Sequence, residues 1–400
     1  MERDRVIDRL RAHRPIGDDR PTPGKEDGLD RIRARIVCVV GARPNFMKVA
    51  PILNRMAGSA GCEAVLVHTG QHYDEAMSEA FFRDLGIRQP DVSLEVGSET
   101  PPRQIARILE RLEPELSRLA PACIVVVGDV NSTLAAALTA AKMGIPIAHV
   151  EAGLRSRDRT MPEELNRILT DACADLLFTT ERDANENLVR EGIDPQAIHF
   201  VGNVMIDTLR RFERRARAST ILESMGLAAG GFALVTLHRP SNVDRREDLD
   251  RIVTILEGTA SRLPVVFPVH PRTRGRLDES GVASRLEGNP RMWITPPVGY
   301  IDFMRLISAA RIVLTDSGGI QEETTALGVP CLTLRENTER PVTISQGTNR
   351  LVGSDPARVL SALDGVLRRP LGGEPQLPEL WDGRAAERIV AVLERTFGRP

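Results

Sequence analysis

Short apolar runs alternate with segments of helical period along almost the whole chain. Arg35 to Val40, Ala64 to Val67, Cys123 to Val127, Ile147 to Val150 and Asp175 to Phe178 are brief, mostly apolar and rich in β-branched residues. That is the pattern of parallel strands buried on both faces. Amphipathic segments such as Ser132 to Met143 and Pro162 to Cys173 lie between them. The rhythm pauses around Val201 to Ser219, and Ala228-Ala-Gly-Gly231 restarts it. A second set follows: Phe232 to Leu237, Val265 to Val269, Met292 to Ile294, Ile312 to Leu314 and Cys331 to Leu334. This alternation predicts an α/β fold of two Rossmann-like doubly wound domains facing a central cleft. The expected divisions are residues 34–204 and 205–380, followed by a C-terminal helix in 381–400 available to pack back on the N-terminal domain. Residues 1–33 are charged and turn-rich without an apolar core, and read as a disordered leader rather than a signal peptide.

Unusual polar residues gather where the apolar runs end. Gly41-Ala-Arg43 and His68-Thr-Gly-Gln71 follow the first two runs, Gly128-Asp129 the third and Glu151 the fourth. His238-Arg239, His270 and Asp316-Ser-Gly-Gly319 hold equivalent places in the second half. Open α/β sheets bind ligands beyond the carboxyl ends of their strands, so these clusters point to one ligand site.

Composition narrows the ligand. With 400 residues there is length for two domains with real cores. A formal charge of −2 and 4% aromatic residues argue against nucleic acid and against a membrane surface. No stretch reaches the roughly eighteen apolar residues that a membrane span needs. Cys38, Cys62, Cys123, Cys173 and Cys331 are scattered without CxxC spacing, as expected of reduced thiols in a soluble cytoplasmic protein. The seven histidines show no ligand spacing, so no metal site is expected.

The motifs carry more. Thr315 to Glu323, TDSGGIQEE, follows an apolar run and opens a helix. The N–H groups of Ser317, Gly318 and Gly319 are then placed for a phosphate, with Glu323 one turn on for ribose hydroxyls. An ordinary capped turn accounts for the same string equally well. Neither GxGxxG nor GxxxxGK[ST] occurs, so a nucleotide diphosphate held as a substrate handle fits better than NAD or a P-loop, and no cofactor is expected. Arg43 and Lys48 suit the diphosphate, although Lys48 alone reads better as a solvated helix charge. Asp129 has a bland reading as a helix cap above Ser132 and Thr133. Glu163 has one in a Thr160–Glu163 capping box with an i,i+4 pair to Arg167. Glu151 is harder to dismiss, because a carboxylate directly after a buried strand needs a partner or a task. His238 and His270 suit structural roles as well as chemical ones.

Taken together, GARPNFMKVAP, TGQHYD, GDVNST, HVEAGLR, PEELNR, GNVMIDTL, VTLHRPSN, FPVHPR, LTDSGGIQEE and RENTERPVT resemble the non-hydrolysing UDP-N-acetylglucosamine 2-epimerases, in order from about residue 34 to residue 353. The resemblance implies a GT-B-type fold, a homodimer, and interconversion of UDP-GlcNAc and UDP-ManNAc without NAD or metal. It makes Asp129, Glu151 and Glu163 the catalytic carboxylates and His238 the residue that assists departure of UDP. Arg43, Lys48, Ser317, Gly318 and Arg340 match diphosphate contacts, Glu323 the ribose contact, and Phe303 a position near the uracil. Gln71, Arg107, Arg239 and His270 match a second, regulatory UDP-GlcNAc site, from which Asp74, Pro240 and Ser241 depart. A hydrolysing epimerase, an epimerase of a modified UDP-sugar, a GT-B glycosyltransferase and a silent sugar-nucleotide sensor are the alternatives.

Overall fold

The computed structural model describes residues 33–70, 86, 88–370 and 376–398. The expected leader and Gln71 lie outside the described residues. The apolar runs form two all-parallel sheets, with helices between successive strands except β2 and β3, where residues 71–85 lie outside the described ones. The first contains β1 (Ala34–Val40), β2 (Cys62–His68), β3 (Val92–Ser93), β4 (Cys123–Val127), β5 (Ile147–Ala152), β6 (Leu176–Thr179) and β7 (Ile198–Phe200), in the order β3-β2-β1-β4-β5-β6-β7. The second contains β8 (Ala233–Thr236), β9 (Val265–Pro268), β10 (Met292–Thr295), β11 (Ile312–Thr315), β12 (Cys331–Thr333) and β13 (Asn349–Leu351), in the order β10-β9-β8-β11-β12-β13. Ile36, Val37 and Cys38 have no accessible surface, nor do Ile312, Val313 and Leu314, so both faces of these strands are covered and their sequences need no polar alternation.

In each sheet the strand order reverses once, between β1 and β4 and between β8 and β11. Those are the switch points at which doubly wound sheets open a crevice at their carboxyl ends.

Contacts divide the chain into two units, Leu209–Asp382 and the residues before and after it. The Ala385–Phe397 helix belongs with the first unit, where the Asp207 carboxylate accepts from the N–H groups of Ala385 (3.0 Å) and Ala386 (2.7 Å). A carboxylate at a helix N-terminus satisfies two orphan donors and meets the favourable end of the dipole. No helix among the described residues is long and apolar enough to cross a membrane.

Candidate active site

In the first unit the switch point is built outward from β1 and β4. The Arg43–Met56 helix opens just past β1, and buried Asn45 latches its first turn to the neighbouring strand. The Asn45 amide donates to the Val127 carbonyl (2.7 Å) and its oxygen accepts from the Ala42 N–H (3.2 Å). Lys48, three residues on, therefore points the same way. It is no solvated charge: it is buried, and its Nζ is bonded to Glu151 Oε2. The expectation of an exposed helix lysine fails because a buried carboxylate waits for it. The Arg43 side chain lies outside the described part of the structure.

Glu151 does not follow its strand but lies within it. β5 runs on to Ala152, and its pairing with β6 shifts register between Val150 and Ala152, which makes Glu151 the bulged residue. Its φ of +69° is a conformation that a residue with a Cβ adopts only under constraint. Bulges re-aim side chains, and this one turns a carboxylate toward the sheet's end. Oε2 meets Lys48, while Oε1 is buried with no hydrogen-bond partner among the described residues. A buried bare oxygen on strained backbone is costly unless substrate or a proton completes it. Gly128 makes room: a Cβ there would lie 3.2 Å from Lys48 Nζ and 3.4 Å from Glu151 Oε2.

Asp129 follows at once, and its bland reading fails too. The N-cap of the Asn131–Lys142 helix is Val130 and has no side-chain cap bond, whereas Asp129 Oδ2 accepts from Arg167 Nη2 at 2.5 Å. The Thr160–Glu163 capping box does not form either. The Pro162–Cys173 helix starts at Met161, and Glu164, not Glu163, reaches back. Glu164 accepts from Ser156 N and Oγ, from Arg157 N and from Arg167 Nη1, all at 2.8–2.9 Å. Arg167 is thus spent on Glu164 and Asp129. Glu163 is left partly exposed, without a hydrogen bond or ion pair among the described residues. Sequence reasoning missed Arg167, Glu164 and Asn45 as site builders. The i,i+3 spacing of Glu164 and Arg167 was the available signal.

In the second unit Asp316, just past β11, organises the residues past β8. Its carboxylate accepts from the N–H groups of His238 and Arg239 and from the Asn242 amide at 2.9–3.2 Å, and Oδ1 lies 3.1 Å from His238 Nδ1. Burial works against ionisation of Asp316, but these donors hold it below the usual carboxylate range. The His270 ring lies 5.6 Å from that of His238. Burial, with the neighbouring His238 and Arg272 charges, holds His270 below its ordinary value. Its Nδ1 accepts the Arg272 N–H (3.2 Å) as the cap of the Pro271–Ser280 helix.

Ser317 is the N-cap of the Gly318–Leu327 helix and makes no side-chain cap bond. Gly318 packs against Arg340, where a Cβ would meet Nη1 at 2.6 Å, and open space lies beside Gly319. Arg340 is buried and held by Glu322 Oε1 (2.5 Å) and Glu339 Oε1 (2.7 Å). One turn into the helix, burial pushes Glu323 up to about 8, and the Tyr300 hydroxyl donates to its Oε1 at 3.3 Å. Phe303, three residues after Tyr300, is partly buried and packs against that unit's apolar core. Of the expected regulatory residues, Arg239 donates to the Asp316 carbonyl (3.0 Å), and Arg107 pairs with Glu99 (2.7 Å). No cluster of three or more metal-binding side chains occurs among the described residues.

A family model described as UDP-N-acetylglucosamine 2-epimerase matches residues 54–394. The chain belongs to the UDP-N-acetylglucosamine 2-epimerase family. It is 40% identical over 371 residues to the UDP-N-acetylglucosamine 2-epimerase of Methanococcus maripaludis, covering 90% of this chain and 98% of that one. It is 39% identical over 365 residues to the UDP-2,3-diacetamido-2,3-dideoxy-D-glucuronate 2-epimerase of Pseudomonas aeruginosa, covering 90% and 99%. The crystal structure of the Methanocaldococcus jannaschii epimerase in complex with UDP-GlcNAc and UDP superposes with a TM-score of 0.82 at 39% identity, over 90% of this chain and 99% of that one. Two Rossmann-like units in one epimerase chain are the GT-B type of α/β fold.

Proposed function

We propose that the chain interconverts UDP-GlcNAc and UDP-ManNAc without hydrolysis, by elimination of UDP and its re-addition. The observation that carries this reading is the Glu151 carboxylate, aimed by a bulge, anchored through Oε2 to Lys48 and bare at Oε1. The solved relative from M. jannaschii, at 39% identity, binds UDP-GlcNAc and UDP. C2–H of the sugar has no carbonyl beside it, so a carboxylate of ordinary pKa about 4.3 cannot remove it directly. Breaking C1–O first sends the electron pair to UDP and leaves an oxocarbenium-like C1. C2–H is then acidic, and a carboxylate takes it to give 2-acetamidoglucal. Return of UDP oxygen to C1, with a proton delivered to the opposite face of C2, yields the epimer. Glu151 and Glu163, each with an unengaged oxygen, are the proton-handling pair. Asp129, tied to Arg167, supplies fixed negative charge to the cation. Asp316 orients His238 through Nδ1, leaving Nε2 for the departing UDP oxygen. Ser317, Gly318 and Gly319 hold the diphosphate and Glu323 the ribose.

Turnover in D₂O tests the mechanism. Product carrying deuterium at C2 is expected. Epimerised product with only protium there would remove the proposal, and free ManNAc in place of UDP-ManNAc would reassign the chain to hydrolysis. The P. aeruginosa relative supports a second reading, a modified UDP-sugar substrate, at nearly the same identity. Side-by-side kcat/KM values for UDP-GlcNAc and a 2,3-diacetamido uronate decide between the two.

A further inference from the structure

Behind the Glu151 bulge lies a buried network with no part in the proton transfers just described. His149 sits in β5 with no accessible surface, and both its ring nitrogens face acceptors. Nε2 is 2.8 Å from the Gly128 carbonyl, which can only accept, so Nε2 carries a proton. Nδ1 is 2.6 Å from Asp171 Oδ1. The other oxygen of Asp171 accepts from Gly153 N (3.0 Å) and pairs with Arg155 Nη2 (2.7 Å). Burial opposes ionisation of Asp171, but His149 and Arg155 hold it below the usual carboxylate range. Arg155 also forks onto Glu191 at 2.9 and 2.6 Å, and Glu191 is 38% exposed. The bonded row His149, Asp171, Arg155, Glu191 runs from the strand core to solvent.

We propose that His149 is a positioning residue whose ring, anchored at Nδ1 by Asp171, uses its Nε2–H to fix the Gly128 carbonyl and so sets the Gly128–Asp129 turn against the Lys48–Glu151 pair. The proposal rests on the reading of Asp129 and Glu151 as catalytic. Gly128 is held from both sides, because its own N–H donates to the Val150 carbonyl at 3.0 Å. Its φ is +70°, and a Cβ at this position would meet the Lys48 and Glu151 head groups at 3.2 and 3.4 Å. Losing the His149 bond frees the peptide that carries Asp129 and walls Glu151.

Two measurements test this. Nitrogen-15 NMR of the intact, histidine-labelled protein at about pH 7.5 should show the His149 proton on Nε2, the nitrogen that faces the Gly128 carbonyl. The charged groups facing the ring or its partners are Asp171, Arg155, Glu191, and Lys48 with Glu151 across Gly128. The second measurement compares two substitutions. His149→Gln keeps an amide N–H at the reach of Nε2, whereas His149→Asn keeps one only at the reach of Nδ1. The Asn variant should lose roughly 10- to 100-fold in kcat with KM within about threefold, and the Gln variant should recover most of that loss. A merely structural role would lower the melting temperature of both without separating their kcat values. A bare Nε2, or an Asn variant as active as Gln, overturns the proposal. Inactive wild-type protein with a protonated Nε2 would instead sink the epimerase reading and, with it, the positioning role.

Discussion

At the scale of single residues, Glu151 concentrates the argument. Its backbone strain, its bulge and its bare oxygen have no packing explanation, and such features gather at functional sites. Glu151→Gln should leave the chain folded and UDP titrations unchanged while turnover falls at least ~10²-fold, the scale of an acid/base group. Lys48→Met should behave differently. It strands a buried carboxylate, so chemical denaturation should report a loss of about 3–5 kcal/mol as well as lost turnover. Glu323 offers a test by pH. Its folded value of about 8 lies above the ordinary 4.5, so between those limits the native state holds a proton that the unfolded chain has lost. Stability therefore falls as pH rises from 4.5 to 8, and the penalty is complete above 8. Glu323→Gln should match wild type in melting temperature at pH 4 and exceed it at pH 9, with no UDP present.

Among elements, the Gly318–Leu327 helix is the one to probe. Its first N–H groups have no partner within the helix, and Arg340 braces its start through Glu322 and Glu339. Ser317→Ala should weaken UDP binding by calorimetry with little change in melting temperature. Arg340→Ala should weaken it further and also melt earlier, because buried Glu322 loses this ion pair and Glu339 is left with Arg335. Equal UDP affinities for both variants and wild type would remove this helix from the diphosphate site. The same scale shows what was legible in the chain. The buried strands of both sheets stand out as apolar runs, whereas β3, β7 and β13 do not. Those three are edge strands of two or three residues, half exposed, and an edge needs no unbroken apolar sequence.

For the molecule as a whole, UDP should stabilise by mass action: at 100 times Kd, about 2.7 kcal/mol, visible as a raised melting temperature. Turnover should be indifferent to EDTA and to added NAD, since carboxylates and a departing diphosphate supply all the chemistry proposed. A rate that collapses in EDTA and returns with a divalent cation would count against that account.

The sequence alone determined the α/β alternation, the family and the polar clusters at strand ends, because burial on both faces and glycine-bearing turns leave local signatures. It did not determine what each charged residue faces. Lys48 reads as a solvated helix charge until β5 brings Glu151 to it from 103 positions away. Glu163 reads as a cap until Arg167 is seen to turn to Glu164 and Asp129 instead. His149 is one more polar residue in an apolar run until its two nitrogens meet Gly128 and Asp171. Periodicity and propensity act over a few residues, so they are written locally. Charge pairing, protonation and a bulge's re-aimed side chain depend on groups far apart in the chain, and only the folded sheet brings them within hydrogen-bond reach.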